Sequence, residues 1–114
     1  MDVKFAEQAP KAIGPYAHAI KSGNFLFCSG QTPLDPATMK IVGVDIQTQT
    51  ERVLLNLALV LASQGLGLGS IVKTTVYLTS MDDFAGMNET YSRIFCKHTP
   101  ARTTIAVKQL PLNA

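Results

Sequence analysis

Ile71-Val72-Lys73-Thr74-Thr75-Val76-Tyr77-Leu78-Thr79 runs directly into Ser80-Met81-Asp82-Asp83-Phe84, and the change of pattern between the two decides the fold. The first nine residues are rich in β-branched side chains, which suit a pleated, partly buried surface, and predict a central strand. Ser80 then offers an N-cap, and Asp82 and Asp83 lie where the positive end of a helix dipole favours anions. Phe84, Met87, Tyr91, Ile94 and Phe95 follow at three- and four-residue steps, the stripe of a helix with one buried face. Upstream, Ile46, Thr50, Val53, Leu54, Leu57, Ala58 and Leu61 repeat that spacing and predict a longer helix over 45–64. Gly65-Leu66-Gly67-Leu68-Gly69 closes it. This glycine run follows a helix, whereas a dinucleotide fingerprint follows a strand, so it reads as a C-cap and connector.

Residues 16–21 and 25–29 read as strands of a hairpin turned by Ser22-Gly23-Asn24, with Phe25, Phe27 and Ser29 on one face and Leu26 and Cys28 on the other. Thr32-Pro33-Leu34-Asp35-Pro36 is loop, because two prolines break ladder and helix alike. Thr103, Ile105 and Val107 alternate with Thr104, Ala106 and Lys108 in a last strand. Strands, helix, strand, helix, strand is the order of an α+β sandwich, with both helices packed on one face of a mixed sheet.

The chain has 114 residues, room for one domain over 1–114. A hydrophobic share of 46% against 16% charged leaves more apolar surface than a small monomer needs, which favours subunit association. Net charge is +2 and the ten basic residues are dispersed, so no nucleic-acid footprint is visible. Cys28 and Cys96 lie far apart without metal-ligand spacing and read as small buried hydrophobes. Apolar runs stay far below the ~20 residues that span a bilayer, and the N-terminus lacks the pattern of a signal peptide. The expectation is a soluble cytoplasmic protein.

Four segments carry chemistry. Pro100-Ala101-Arg102-Thr103 sets a guanidinium at a strand start, suited to bidentate capture of a small carboxylate. Gly14-Pro15-Tyr16, Cys28-Ser29-Gly30-Gln31 and Met87-Asn88-Glu89-Thr90-Tyr91 place polar groups beside glycine, proline or an element end. Tyr16 and Ser29 can donate to a ligand or an ordered water, and at Gly30 the backbone can approach closely. Asn88, mildly unfavourable within a helix, either shapes the cleft or touches the ligand. A triad of Ser29 with His18 or His98 lacks the strand-to-helix elbow, and His98 reads as a cation at a helix C-terminus.

In this order, Ala12-Ile13-Gly14-Pro15-Tyr16, Ser29-Gly30-Gln31, Lys73-Thr74-Thr75-Val76-Tyr77-Leu78, Met81-Asp82-Asp83-Phe84, Asn88-Glu89-Thr90-Tyr91 and Pro100-Ala101-Arg102 resemble the RidA family (reactive intermediate/imine deaminase A), also described as the YjgF or L-PSP endoribonuclease-like family. The resemblance covers essentially the whole chain. It implies a chorismate-mutase-like fold, trimerising around a central barrel with ligand clefts between subunits. It also implies hydrolysis of 2-imino acids and their enamine tautomers, such as 2-aminoacrylate and 2-iminopropionate, to 2-oxo acids and ammonia, with no cofactor or metal. Arg102, Tyr16 and Ser29 would be catalytic, and Arg102, Gly30 and Asn88 substrate-binding. The expected partners are a small 2-imino acid and two further copies of the chain, without nucleic acid or membrane. An endoribonuclease or translation inhibitor, and a non-catalytic trimeric carboxylate-binding or chaperone-like protein, are the alternatives.

One departure stands out. Relatives continue after Leu-Pro with a strand bearing an acidic residue, whereas Leu110-Pro111 is followed here by Leu112-Asn113-Ala114. The expectation is a domain without the family's C-terminal strand and its water-positioning carboxylate. Thr104 takes a position where many relatives have cysteine, so thiol chemistry is not expected there.

Overall fold

A computed structural model describes residues 1–114. Strands β1 (Asp2–Lys4), β2 (Ala19–Ser22) and β3 (Phe25–Cys28) form a three-stranded antiparallel sheet in the order β1-β2-β3. After the long loop comes helix α1 (Ile46–Ala62), then β4 (Lys73–Leu78), helix α2 (Phe84–Phe95) and β5 (Ala101–Ala106). β4 and β5 pair in parallel as a second sheet of two strands, joined by the α2 crossover. No helix is long and apolar enough to cross a membrane.

The α+β architecture is as expected, with two adjustments. β4 is not a central strand, because β5 is its only strand partner and the sheet is split in two. The hairpin is shorter than expected: β2 opens at Ala19, since Gly14-Pro15-Tyr16 makes a tight turn in which the Tyr16 N–H donates to the Gly14 carbonyl at 2.8 Å. β1 and its pairing with β2 (Val3 opposite Ile20) carry no strong strand signal in so short a segment.

Each helix covers one sheet. Val60 of α1 packs with Ala6, Ala9 and Ala19, and with Leu26 on the inner face of the hairpin. Leu54 joins Leu78, Met87, Tyr91 and Phe95 in the larger core between α1, α2 and β4. On α2 the expected Met87, Tyr91 and Phe95 are buried, joined by Thr90, whereas on α1 only Thr50, Leu54 and Leu61 of the expected stripe are buried, joined by Asn56 and Val60, and Ile46, Val53, Leu57 and Ala58 are half-buried. Asn56 is wholly buried inside an otherwise apolar run. Its Nδ2 donates to the Leu34 and Thr32 carbonyls at 2.8 and 3.2 Å, and its Oδ1 accepts from Arg52 Nε at 2.9 Å. A buried amide so satisfied ties the proline-rich loop to α1. The opposite faces of the sheets stay open and apolar: Phe25, Phe27 and Val3 on the hairpin, and the register pair Tyr77 and Ile105 on β4 and β5.

The helix ends follow their sequence signals. Asp45 caps α1, its Oδ2 accepting from both the N–H and the hydroxyl of Thr48 at 2.8 Å. At the other end Gly65 takes φ +72°, and the Leu66 N–H returns to the Leu61 carbonyl at 2.9 Å. Ser80 accepts from the Asp82 N–H at 3.1 Å and opens a 3-10 turn, Met81–Asp83, that feeds α2.

Two cysteine and histidine expectations are corrected. Cys28 and Cys96 are exposed: Cys28 ends an edge strand, and Cys96 leaves α2 at φ +60°. Partial desolvation still pushes the Cys28 thiol pKa up. His98 does not simply face the dipole of α2. Its Nε2–H donates to the Ile71 carbonyl at 2.6 Å, pinning the helix exit to the chain entering β4.

The start of α1 packs directly on α2 at Gly86, where a Cβ would lie 2.6 Å from Ile46 Cγ2 and 2.9 Å from Gln47 Nε2. Gly86→Ala is expected to destabilise the chain by about 1–3 kcal/mol, overlap outweighing the gain in helix propensity. Urea unfolding checks this, with Gly69→Ala, where a Cβ meets nothing within 4 Å, as the control.

Asp45 supplies a pH test. The Thr48 N–H, and then the Thr48 hydroxyl, hold its carboxyl pKa below the ordinary value. A depressed folded pKa contributes stability above the unfolded value, about 3.9, and loses it as pH falls through the folded value. The deficit of Asp45→Ala against the parent is therefore expected to be full at pH 7 and to narrow below about pH 4 in thermal melts at stepped pH.

Candidate functional site

Arg102 is the second residue of β5, opposite Thr74 of β4, so both point toward α2. There the guanidinium lies over two aromatic faces, its carbon 4.9 Å from the Tyr91 ring centroid and 5.6 Å from that of Phe84. Nη1 also approaches Met87 Sδ at 3.9 Å, a weak bond. Such π contacts hold a cation by about 0.5–2 kcal/mol without consuming its in-plane donors. Tyr91 is itself fixed by a 2.8 Å hydrogen bond between its hydroxyl and Thr74 Oγ1.

No carboxylate pairs with Arg102. The one ion pair of the chain, Arg93 with Glu51 at 2.9 Å, links the exposed sides of α2 and α1. Arg102 is thus a half-buried cation braced by rings, with most of its forked N–H set unspent. Asn88 lies on the same stripe of α2 as Phe84, Met87 and Tyr91, at the i, i+3, i+4, i+7 spacing that stacks side chains on one helix face.

The other expected residues gather at the far end of the hairpin. Tyr16 is exposed, and its hydroxyl accepts from the Ile13 N–H at 3.3 Å. Ser29 follows β3, and its hydroxyl donates to the Ala17 carbonyl at 2.7 Å, so its proton is engaged within the chain. Tyr16 and Gly30 line one narrow cleft with His18, Gln31 and Pro10. His18 is buried there, with Nδ1 accepting from the Ala6 N–H and Nε2–H donating to the Pro10 carbonyl, both at 2.7 Å. These bonds fix a single neutral tautomer and remove His18 from any triad with Ser29. Tyr16 also borders an open depression of about 420 Å³ with Val3 and Phe5. Neither cavity is lined by Arg102 or Asn88, so within one chain the candidate residues form two groups.

Sequence reading missed the brace formed by Phe84 and Tyr91, which it assigned to the core stripe alone. The signal was available: both belong to the helix leading into the strand that carries Arg102, and a parallel crossover lays that helix over that strand. It also missed the lock on His18, for which the sequence carries no signal.

Tyr91→Phe keeps the ring beneath Arg102 but strands the half-buried Thr74 hydroxyl. A loss of about 1 kcal/mol is expected by urea unfolding, and a larger one for Tyr91→Leu, which removes the π face as well.

Residues 6–114 match the family model described as Endoribonuclease L-PSP. A RutC family protein of Pyrococcus horikoshii is 51% identical over 110 residues, covering 96% of this chain and 87% of its own length. The protein named Reactive Intermediate Deaminase A, chloroplastic, of Arabidopsis thaliana is 44% identical over 113 residues, 99% of this chain and 60% of its own. Among solved structures, Escherichia coli TdcF with bound serine superposes with a TM-score of 0.93 at 36% identity, over 99% of this chain and 91% of that one.

Proposed function

Because the chain belongs to the Endoribonuclease L-PSP family, which includes the YjgF, RutC and RidA proteins, we propose that it hydrolyses reactive 2-imino acids and their enamine tautomers to 2-oxo acids and ammonia. The observation that carries this reading is the half-buried Arg102 guanidinium, braced by Tyr91 and Phe84 and paired with no carboxylate of the chain. A planar fork in that state is suited to a ligand carboxylate, which it grips by two parallel charge-assisted bonds. The relative named for reactive-intermediate deamination supplies the reaction class.

The reaction balances simply. Water adds to the carbon of the protonated imine, forming a C–O bond as the C=N π pair moves to nitrogen, and the added water gives up one proton to solvent to leave a tetrahedral carbinolamine. That intermediate then transfers a hydroxyl proton to nitrogen, and the C–N bond breaks to release ammonia and leave the 2-oxo acid. Arg102 holds the carboxylate and so fixes the electrophilic carbon. The gain is one of positioning, because a protonated imine is already electrophilic. Tyr16 and the Gly30 backbone offer donors and a close wall for water, and Ser29 keeps an acceptor lone pair free while its proton is held by Ala17. No carboxylate is assigned to water activation; Glu89, exposed on α2, is not given that role.

The two groups of residues come together between copies of the chain. Phe25 and Phe27, each at least 60% exposed, and Tyr77 at 52% make open sheet faces of the kind that bury themselves in association. A homotrimer sets Arg102 and Asn88 of one protomer beside Tyr16, Ser29 and Gly30 of its neighbour. The dispersed positive charge gives no footing to the ribonuclease alternative.

The test is ammonia and pyruvate release from freshly generated 2-aminoacrylate, on a sample whose mass by light scattering equals three 12.3 kDa chains. The parent is expected to exceed the buffer rate, and Arg102→Lys to lose most of that excess through a raised KM, because an ammonium cannot replace the fork. A trimer with no rate above buffer, or a lysine variant equal to the parent, overturns the reading.

A further inference from the structure

His18 is the only buried side chain that can gain charge near neutral pH, and the proposed chemistry does not use it. It bridges two points of the N-terminal segment. Nδ1 takes the Ala6 N–H and Nε2–H goes to the Pro10 carbonyl, each at 2.7 Å. Ala6 and Ala9 close over Ala19 and Val60, and the Phe5 ring stands edge-on to the imidazole, centroids 6.0 Å apart. From this point the chain runs one way into β1 and the other way into the Gly14-Pro15-Tyr16 turn. Val3 and Phe5 of the first arm, and Ala12, Pro15 and Tyr16 of the second, wall the open depression beside Tyr16.

The two bonds ask opposite things of the ring. The bond to Pro10 survives a second proton, because that nitrogen already donates. The bond from Ala6 does not. A proton on Nδ1 sets N–H against N–H and leaves two buried donors without an acceptor. We propose that His18 is a proton-operated clip, and that protonation at Nδ1 releases residues 1–10 from the hairpin and so removes one wall of the depression. No group nearby offsets the new charge. The chain's one ion pair joins Arg93 and Glu51, so no carboxylate pairs with His18. Lys11 and the Tyr16 phenol share its cleft, Lys4 and the exposed Glu7 flank Ala6 on the segment, and α1 presents Val60 and Leu59. Lys11, itself a cation, opposes a second positive charge. A docked segment that takes up a proton less readily than the free one loses stability as pH falls. Imidazole chemistry sets that loss between about pH 8 and about pH 5.

His98 supplies the contrast. Its Nε2–H donates to the Ile71 carbonyl at 2.6 Å and its Nδ1 has no partner, so a second proton costs it no bond. The same fall in pH leaves the exit of α2 in place. The clip is independent of the role of Arg102 as carboxylate anchor.

Amide exchange followed by NMR on the full chain tests the clip, as protection factors corrected for intrinsic rates at about pH 7.5 and about pH 5. Protection of the Ala6 amide is expected to fall about tenfold on acidification. Protection of the Cys96 amide, bonded to the Ser92 carbonyl at the end of α2, is expected to hold. His18→Gln keeps an acceptor and a donor on one planar group but takes up no proton, so its Ala6 amide is expected to be equally protected at both pH values. Equal protection of Ala6 in the parent overturns the proposal whether or not the variant folds. So does a fall that persists in folded His18→Gln, or one shared by Cys96, which is general unfolding.

Discussion

The seating of α2 on β4 and β5 is the constraint from which the site follows. Tyr91 stands at its centre: its ring packs with Phe95 and Met87 in the core, its hydroxyl bonds Thr74, and its outer face carries Arg102. One side chain therefore links apolar burial, strand position and the placement of a cation. The aromatic brace also settles a conflict, since burying a guanidinium against a carboxylate would neutralise it and occupy its donors. Rings hold it electrostatically while leaving its donor plane free.

The parallel order of β4 and β5 makes this arrangement possible. A crossover returns the chain to the same end of the sheet, so the start of β5 lies beside the start of β4 and under the helix between them. Arg102 opposite Thr74 is a consequence of that register. The close contact at Gly86 with the start of α1 then fixes α2 from its other side, so the helix position is determined by both neighbours.

Much of this was legible in the residues. The stripe of α2, the cap at Ser80, the glycine exit at Gly65 and the alternation in β5 are local signals, and local backbone chemistry dictates them. Less legible were features set by distant contacts. Asn56 reads as a flaw in an apolar helix until the carbonyls of Thr32 and Leu34, more than twenty residues away, come to meet it. Cys28 reads as buried from its residue type but lies on an edge that one chain leaves uncovered. For the site, residue types and segments were visible, whereas the division into an Arg102 group and a Tyr16 group was not. Spacing along a chain carries no information about which groups share a cavity.

β3 is the outer strand of its sheet, and Phe25-Leu26-Phe27-Cys28 contains no charge and no proline. Its outward N–H and C=O groups have no strand to pair with, and natural edges usually carry lysine, proline or a bulge to discourage unwanted partners. A short apolar edge without those guards is a template for amyloid-like strand addition. For this chain, whatever occupies that edge is also what keeps it from aggregating, so the demands of solubility and of correct assembly fall on the same four residues.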